Sequence, residues 1–307
     1  MLLSKKVNFI GACFGWGAQK RGCEYGPKAL FESNIKNILD QENITCKWEL
    51  IESYLSSRNS YVPVGLKTLP LLTHIISKVS LSVKTSLEKN NFPVVIGGDH
   101  SIAIGTWSAL SENLFQSSSS EMGLLWIDAH LDAHTLETTP SKAYHGMPLA
   151  VLLGYGDHKL VYHLNERVKL KPENVVLIGV RSWEKEEYAL LKNIGVTLYT
   201  IDDIRKFGFS FCFQKALYKI NQNTNTYGLT FDLDAFDPSI VPGVGTPEIG
   251  GLYREEVFKS LFGIANKPEL KALEIVELNP EKDHYNKTLD LLKDLLYCIF
   301  GLKGLNS

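Results

Sequence analysis

Short runs of β-branched, aliphatic and aromatic residues recur along the chain, separated by longer stretches in which apolar residues step by three or four. The runs are Val7–Gly11, a weaker Trp48–Ile51, Pro93–Gly97, Gly123–Ile127, Val175–Val180, Val196–Ile201, Tyr227–Phe231 and Ala272–Val276. Bounded by Gly, Asp or Asn turn chemistry, they predict eight strands. Between them Leu69, Leu72, Ile76, Val79, Val83 and Leu87 fall on one face of a helix that leads into the Pro93 strand. Helical periods follow at Ile102–Leu114, Lys185–Lys192, Phe213–Ile220 and Glu255–Ile264. This alternation predicts an α/β fold of three layers, αβα, around a central, mostly parallel eight-stranded sheet. No change of pattern marks a boundary, so residues 1–307 read as a single domain. Gln116–Glu121, with four serines, predicts a surface loop.

Composition narrows the partners. With 44% hydrophobic residues the chain can bury a large core. Its 32 basic and 34 acidic residues nearly cancel, which disfavours nucleic acid and anionic membranes and leaves a small molecule as the expected partner. Five scattered cysteines (Cys13, Cys23, Cys46, Cys212, Cys298), never in a C-x-x-C pair, read as free thiols of a reducing compartment, and the location expected is cytoplasmic. The short apolar run after Met1–Lys6 has no cleavage-like site behind it. Leu289–Leu302, interrupted by Asp290, Lys293 and Asp294, predicts an amphipathic helix and not a membrane span.

Ligands collect at the carboxyl ends of parallel strands, and the acidic and histidine clusters fall there. The Pro93 strand is followed by Gly97-Gly98-Asp99-His100, the Gly123 strand by Asp128-Ala129-His130-Leu131-Asp132, and the Tyr227 strand by Asp232-Leu233-Asp234-Ala235-Phe236-Asp237. Asp128, His130 and Asp132 alternate, as do Asp232 and Asp234, so each set is expected to share one side of an extended strand end. Four carboxylates brought together repel, and bound divalent cations relieve that repulsion. Imidazole and carboxylate without thiolate suit manganese, cobalt or iron rather than a cysteine-rich structural zinc site. Two such ions about 3.5 to 4 Å apart would lower the pKa of a shared water and present hydroxide as a nucleophile.

From Gly11 to Pro280 the chain resembles the ureohydrolase family, and within it the arginases. The motifs are Gly97-Gly98-Asp99-His100-Ser101, Asp128 to Asp132, His145-Gly146-Met147-Pro148, Phe231 to Pro238 and Gly245-Thr246-Pro247, in family order. Arg21-Gly22-Cys23-Glu24-Tyr25-Gly26-Pro27 looks like the segment that opens the arginase site. The resemblance implies an arginase-like fold and two manganese ions per subunit, with cobalt as an alternative. It implies His100, Asp128, Asp132 and Asp232 on one ion, and Asp128, His130, Asp232 and Asp234 on the other. It further implies catalysis by His145 as proton shuttle, by Asp132 and by Glu277, which grips the guanidinium, with Thr246 lining the site. The implied reaction is hydrolysis of L-arginine to L-ornithine and urea by a metal-bridging hydroxide, in a homo-oligomer, trimer or hexamer.

The substrate end departs from the family pattern. Arginases usually read N-T, then S-G-N, before the shuttle histidine. Here His134-Thr135 and Ser141-Lys142-Ala143-Tyr144 stand in those places, with Thr139 and Ser141 kept. His134 or Lys142 could hold a substrate carboxylate by charge, which disfavours agmatine. The family's acidic contact to the substrate amino group falls on Glu184, which could equally start the following helix. A guanidinobutyrate-type acid is the rival substrate, and His145 argues against formiminoglutamate. Two other classes stay open: a non-enzymatic relative, and a one-zinc hydrolase on the related deacetylase-like fold.

Overall fold

The computed structural model describes residues 6–52, 65–118 and 120–302. Eight strands form one sheet: β1 (Lys6–Cys13), β2 (Thr45–Glu52), β3 (Phe92–Gly97), β4 (Gly123–Ile127), β5 (Val175–Val180), β6 (Thr197–Thr200), β7 (Tyr227–Asp232) and β8 (Leu270–Val276). Their order is β2-β1-β3-β8-β7-β4-β5-β6, with all strand pairs parallel. Helices α1 (Gly26–Glu32) and α2 (Ile35–Gln41) link β1 to β2. Then α3 (Leu69–Glu88) enters β3, and α4 (Ala103–Ser118) joins β3 to β4. Short helices α5 (Pro148–Leu152) and α6 (His158–Val161) precede β5, α7 (Lys185–Ile194) precedes β6, and α8 (Ile201–Phe207) with α9 (Phe209–Asn221) precedes β7. The last two are α10 (Arg254–Leu261), before β8, and α11 (Lys287–Phe300), after it.

Successive strand residues pack into opposite layers. Val94, Ile96, Leu125 and Ile127 meet Phe213, Ala216, Leu292 and Leu296 from α9 and α11. On the other face Val95 meets Ile76 and Val79 of α3, while Leu124, Trp126 and Leu177 meet Trp107 and Leu110 of α4 and Leu191 of α7. Both sides of the central strands β3, β4, β5 and β7 are buried, which is why they read as continuous hydrophobic runs, whereas the edge strands β2 and β6 are only partly buried.

The differences from the expected elements have local causes. Helix α4 runs to Ser118, where the Ser118 hydroxyl donates to the Leu114 carbonyl (3.0 Å), so the serine loop starts later than expected; its Ser119 lies outside the described residues. Strand β6 stops at Thr200, which caps α8 by accepting from the Asp203 amide (3.4 Å), so Ile201 begins a helix. Helix α10 ends at Leu261, and Gly263 at φ 70° turns the chain before Ile264. Residues 1–5, read above for a targeting signal, are likewise outside the described part. Among the described residues no helix is long and apolar enough to cross a membrane.

Candidate active site and metal centre

The strands β3, β8, β7 and β4 are consecutive neighbours at the middle of the sheet. Their carboxyl ends therefore bring together segments that lie far apart in sequence. Three of the turns share one device, an aspartate side chain that accepts the amide two residues on. Asp99 accepts from Ser101 (3.0 Å), Asp128 from His130 (2.7 Å) and Asp232 from Asp234 (2.8 Å). The extended alternation expected for Asp128, His130 and Asp132 is absent, because β4 stops at Ile127 and Asp232 leads into a 3-10 turn, Leu233–Ala235. These side-chain turns, and a left-handed Asp132 at φ 50°, aim the side chains inward instead.

They converge closely. His100 Nδ1 lies 3.2, 3.0 and 3.1 Å from Oδ2 of Asp128, Asp132 and Asp232. His130 Nδ1 lies 3.1 Å from Asp234 Oδ2 and 3.6 Å from Asp128 Oδ1, so Asp128 belongs to both groups. One ring proton cannot serve three oxygens, and among the described residues His100 Nδ1, though buried, makes no aligned hydrogen bond. Spacings of this size are those between adjacent donors at right angles around an ion about 2.2 Å from each. The donor set thus fits divalent cations on geometry as well as chemistry. The electrostatics agree. Burial alone would lower the His100 imidazole, but Asp128, Asp132 and Asp232 outweigh it and raise it well above its usual range. Burial and the neighbouring Asp128 push the Asp132 carboxyl up to about 6, and burial with Asp234 and Asp128 raises Asp232 well above the usual carboxylate range.

A second ring of contacts fixes these groups. The Trp126 indole donates to Asp128 Oδ2 (2.8 Å), and its ring stacks on His100 at 4.4 Å. His100 Nε2 meets Thr230 Oγ1 (3.0 Å), which donates to the buried Glu274 (2.9 Å). Arg181 donates to the carbonyls of Asp234 (2.7 Å), Phe236 (3.2 Å) and Glu248 (2.8 Å), tying the end of β5 to the loop after β7.

Glu277 follows β8 in a left-handed conformation, φ 69°, with its amide donating to the Gly98 carbonyl (2.8 Å). Only glycine fits at 98, since a Cβ there would overlap the Phe14 carbonyl. Glu277 Oε1 accepts from the His100 amide (3.0 Å) and faces His145 Nδ1 (3.3 Å). Gly245 leaves room beside Oε2, and Thr246 donates to Asp234 Oδ2 (3.1 Å). Burial would raise the Glu277 carboxyl, but the His145, Cys23 and His100 donors hold it below the usual carboxylate range. Against the opposing effect of burial, Glu277 lifts His145 to about 9.

The same pocket is lined farther out by His134, Pro140, Ser141, Glu184 and Glu187. His134 Nε2 lies 2.9 Å from Glu184 Oε2 and 3.6 Å from Glu187 Oε1, and its Nδ1 meets Thr138 Oγ1 (3.2 Å). Glu184 both faces the pocket and precedes α7, where its amide donates to Glu187 (3.0 Å). Thr139 is buried and spends its hydroxyl within the loop, on the Lys142 amide (3.0 Å) and Ser141 Oγ (3.3 Å). The Lys142 amine donates to the Leu136 carbonyl (3.1 Å) on the exposed side. Glu187 was not singled out in the sequence. It accepts from the Ala133 amide (3.2 Å), and burial pushes it up to about 8. Its signal was the spacing Glu184-x-x-Glu187 at a helix start. Trp126 and Arg181 left no comparable trace in the sequence.

An all-parallel sheet with buried imidazole–carboxylate clusters at its carboxyl edge defines a class of α/β enzyme suited to divalent cations. Comparison with known proteins narrows the class. The arginase family model matches residues 5–301. Similar proteins include arginases of Bacillus caldovelox (33% identical, covering 97% of this chain and 99% of that protein) and Bacillus subtilis strain 168 (34%, covering 98% and 99%). Among solved structures, the arginase from Bacillus caldovelox superimposes with a TM-score of 0.89 at 33% identity over 97% of this chain and 99% of that one. The chain belongs to the arginase family of ureohydrolases, hydrolases of linear amidines.

Proposed function

We propose that this chain hydrolyses the guanidinium group of L-arginine to L-ornithine and urea, with two manganese ions per subunit for which cobalt can substitute. The observation that carries this reading is that two donor clusters sharing Asp128 open into one pocket with Glu277 and His145. His100, Asp128, Asp132 and Asp232 would hold one ion, and Asp128, His130, Asp232 and Asp234 the other. When bound, the cations supply an activated water near neutral pH.

The remaining chemistry falls to the side chains. A guanidinium is a planar, permanent cation, and Glu277 accepts two of its N–H groups in a fork that turns the central carbon toward the clusters. The 3.3 Å contact between His145 and Glu277 is longer than the 3.0 Å bond from the His100 amide, so it is the one the guanidinium displaces. Oxygen then adds to the carbon, and the bond to the chain nitrogen breaks. That nitrogen leaves well only if it gains a proton, and His145, an imidazole lining the same pocket, is placed to give it. At the outer end Glu184 and Glu187 face the substrate amino group, while Ser141 and His134 face its carboxylate. Thr139 supports that loop, and Thr246 steadies Asp234. Assembly as a trimer or hexamer rests on family likeness.

One observation favours a second reading. His134 already engages Glu184 and Glu187, which leaves less negative charge for an amino group and suits a guanidinobutyrate-type acid. A urea-release panel of L-arginine, agmatine, guanidinobutyrate and guanidinopropionate decides between them. Arginine should be preferred, and preference for guanidinobutyrate would replace the first reading with the second.

A further inference from the structure

Glu277 has a holder on each carboxylate oxygen, and the one on Oε2 lies in the Arg21–Pro27 segment. The short helical turn Cys23–Tyr25 places the buried Cys23 with Sγ 3.1 Å from Glu277 Oε2, to which the thiol donates, and 3.7 Å from the Glu277 carbonyl. The loop that carries the sulfur is pinned to the same stretch of chain. Asn279 Nδ2 donates to the Arg21 carbonyl (3.1 Å), and Glu24 accepts from the Gly22 amide (2.7 Å) and from the Arg21 guanidinium (2.9 Å). A terminal carboxylate otherwise turns freely about its last torsion, whereas a forked pair with a guanidinium needs its plane fixed. With the His100 amide on Oε1 and the thiol on Oε2, both ends of that plane are held. Burial and the adjacent Glu277 charge keep Cys23 well above the usual thiol range, so the sulfur retains its proton.

We propose that Cys23 is a positioning residue that fixes the plane of the Glu277 carboxylate for the substrate guanidinium. The proposal rests on the guanidinium-binding role given to Glu277 above.

Two substitutions separate bonding from packing. Cys23→Val keeps the volume and removes the donor, whereas Cys23→Ser keeps a donor and gives up volume. In manganese-loaded protein, Cys23→Val should raise KM for L-arginine, and Kd for guanidinium ion itself, by roughly tenfold, with kcat within about threefold of wild type. Cys23→Ser should restore both. The reverse order, valine like wild type and serine impaired, overturns the proposal. A Raman measurement is independent of turnover: the Cys23 S–H band, assigned by its loss in Cys23→Val, should shift to higher frequency in Glu277→Gln, because a neutral amide accepts more weakly. An unmoved band also overturns the proposal. Wild-type protein that neither binds guanidinium nor releases urea from any guanidino compound would sink the arginine reading, while the Raman band still decides whether Cys23 holds Glu277.

Discussion

Replacing Trp126 by phenylalanine removes one hydrogen bond from the residue shared by both donor clusters. The indole Nε1 donates to Asp128 Oδ2 at 2.8 Å, and that same oxygen lies 3.2 Å from His100 Nδ1. Phenylalanine keeps an aromatic ring against His100 but leaves the carboxylate oxygen without its donor. A hydrogen bond to a charged acceptor contributes about 1.5–3 kcal/mol. At about 1.4 kcal/mol per decade, manganese affinity should fall roughly 10- to 100-fold, the range typical of lost partners behind a metal ligand. Titration calorimetry on metal-stripped protein measures this directly, and melting with and without manganese gives a second estimate, because the stabilisation by bound metal follows its affinity. Melting without metal also isolates the packing loss. Unchanged manganese affinity alongside a lowered melting temperature of the metal-free variant would show that the indole only packs, and would refute the reasoning.

Glu277→Gln should leave manganese binding intact and lower kcat/KM for L-arginine by at least about 100-fold, since a neutral amide cannot pair with the cation; an unchanged steady-state value would remove the guanidinium fork. Replacing His145 by asparagine should reduce kcat about 100-fold or more, with the loss partly recovered by added imidazole, as expected for a proton donor. Away from the site, His163 is buried against Ser80 Oγ (2.9 Å), and burial lowers its pKa from 6.5 to about 4. The folded state holds it neutral while the unfolded chain takes up a proton below 6.5, so its contribution is full above 6.5 and is lost as pH falls toward 4. Urea denaturation across that window should show up to about 3 kcal/mol of acid destabilisation that His163→Gln removes; equal slopes in the two proteins would contradict this.

The strands were legible because parallel strands covered on both faces are written as unbroken apolar runs, such as Pro93–Gly97 and Val175–Val180. Their order was not. Nothing local in β3, β8, β7 and β4 says that they are neighbours, although that adjacency is what gathers His100, Glu277, Asp232 and Asp128. The short helices were invisible for a different reason: five residues in α5 or four in α6 are too few to show a period. At the site, the donor residues stood out because acids and imidazoles clustered at strand ends are unusual. The reason given for their convergence failed, since period-two alternation needs an extended strand and the chain turns at Asp128 and Asp232 instead. Arg181, Glu187 and Cys23 act through tertiary contacts over tens to hundreds of residues, and Trp126 through a bond to Asp128 that exists only because the chain turns there; ordinary side chains carry no mark of either in sequence.

Anomalous diffraction at the manganese edge from crystals grown with the metal tests the account most directly. Two peaks are expected for each chain, one enclosed by His100, Asp128, Asp132 and Asp232 and the other by Asp128, His130, Asp232 and Asp234. A single peak, or peaks away from Asp128, would contradict it.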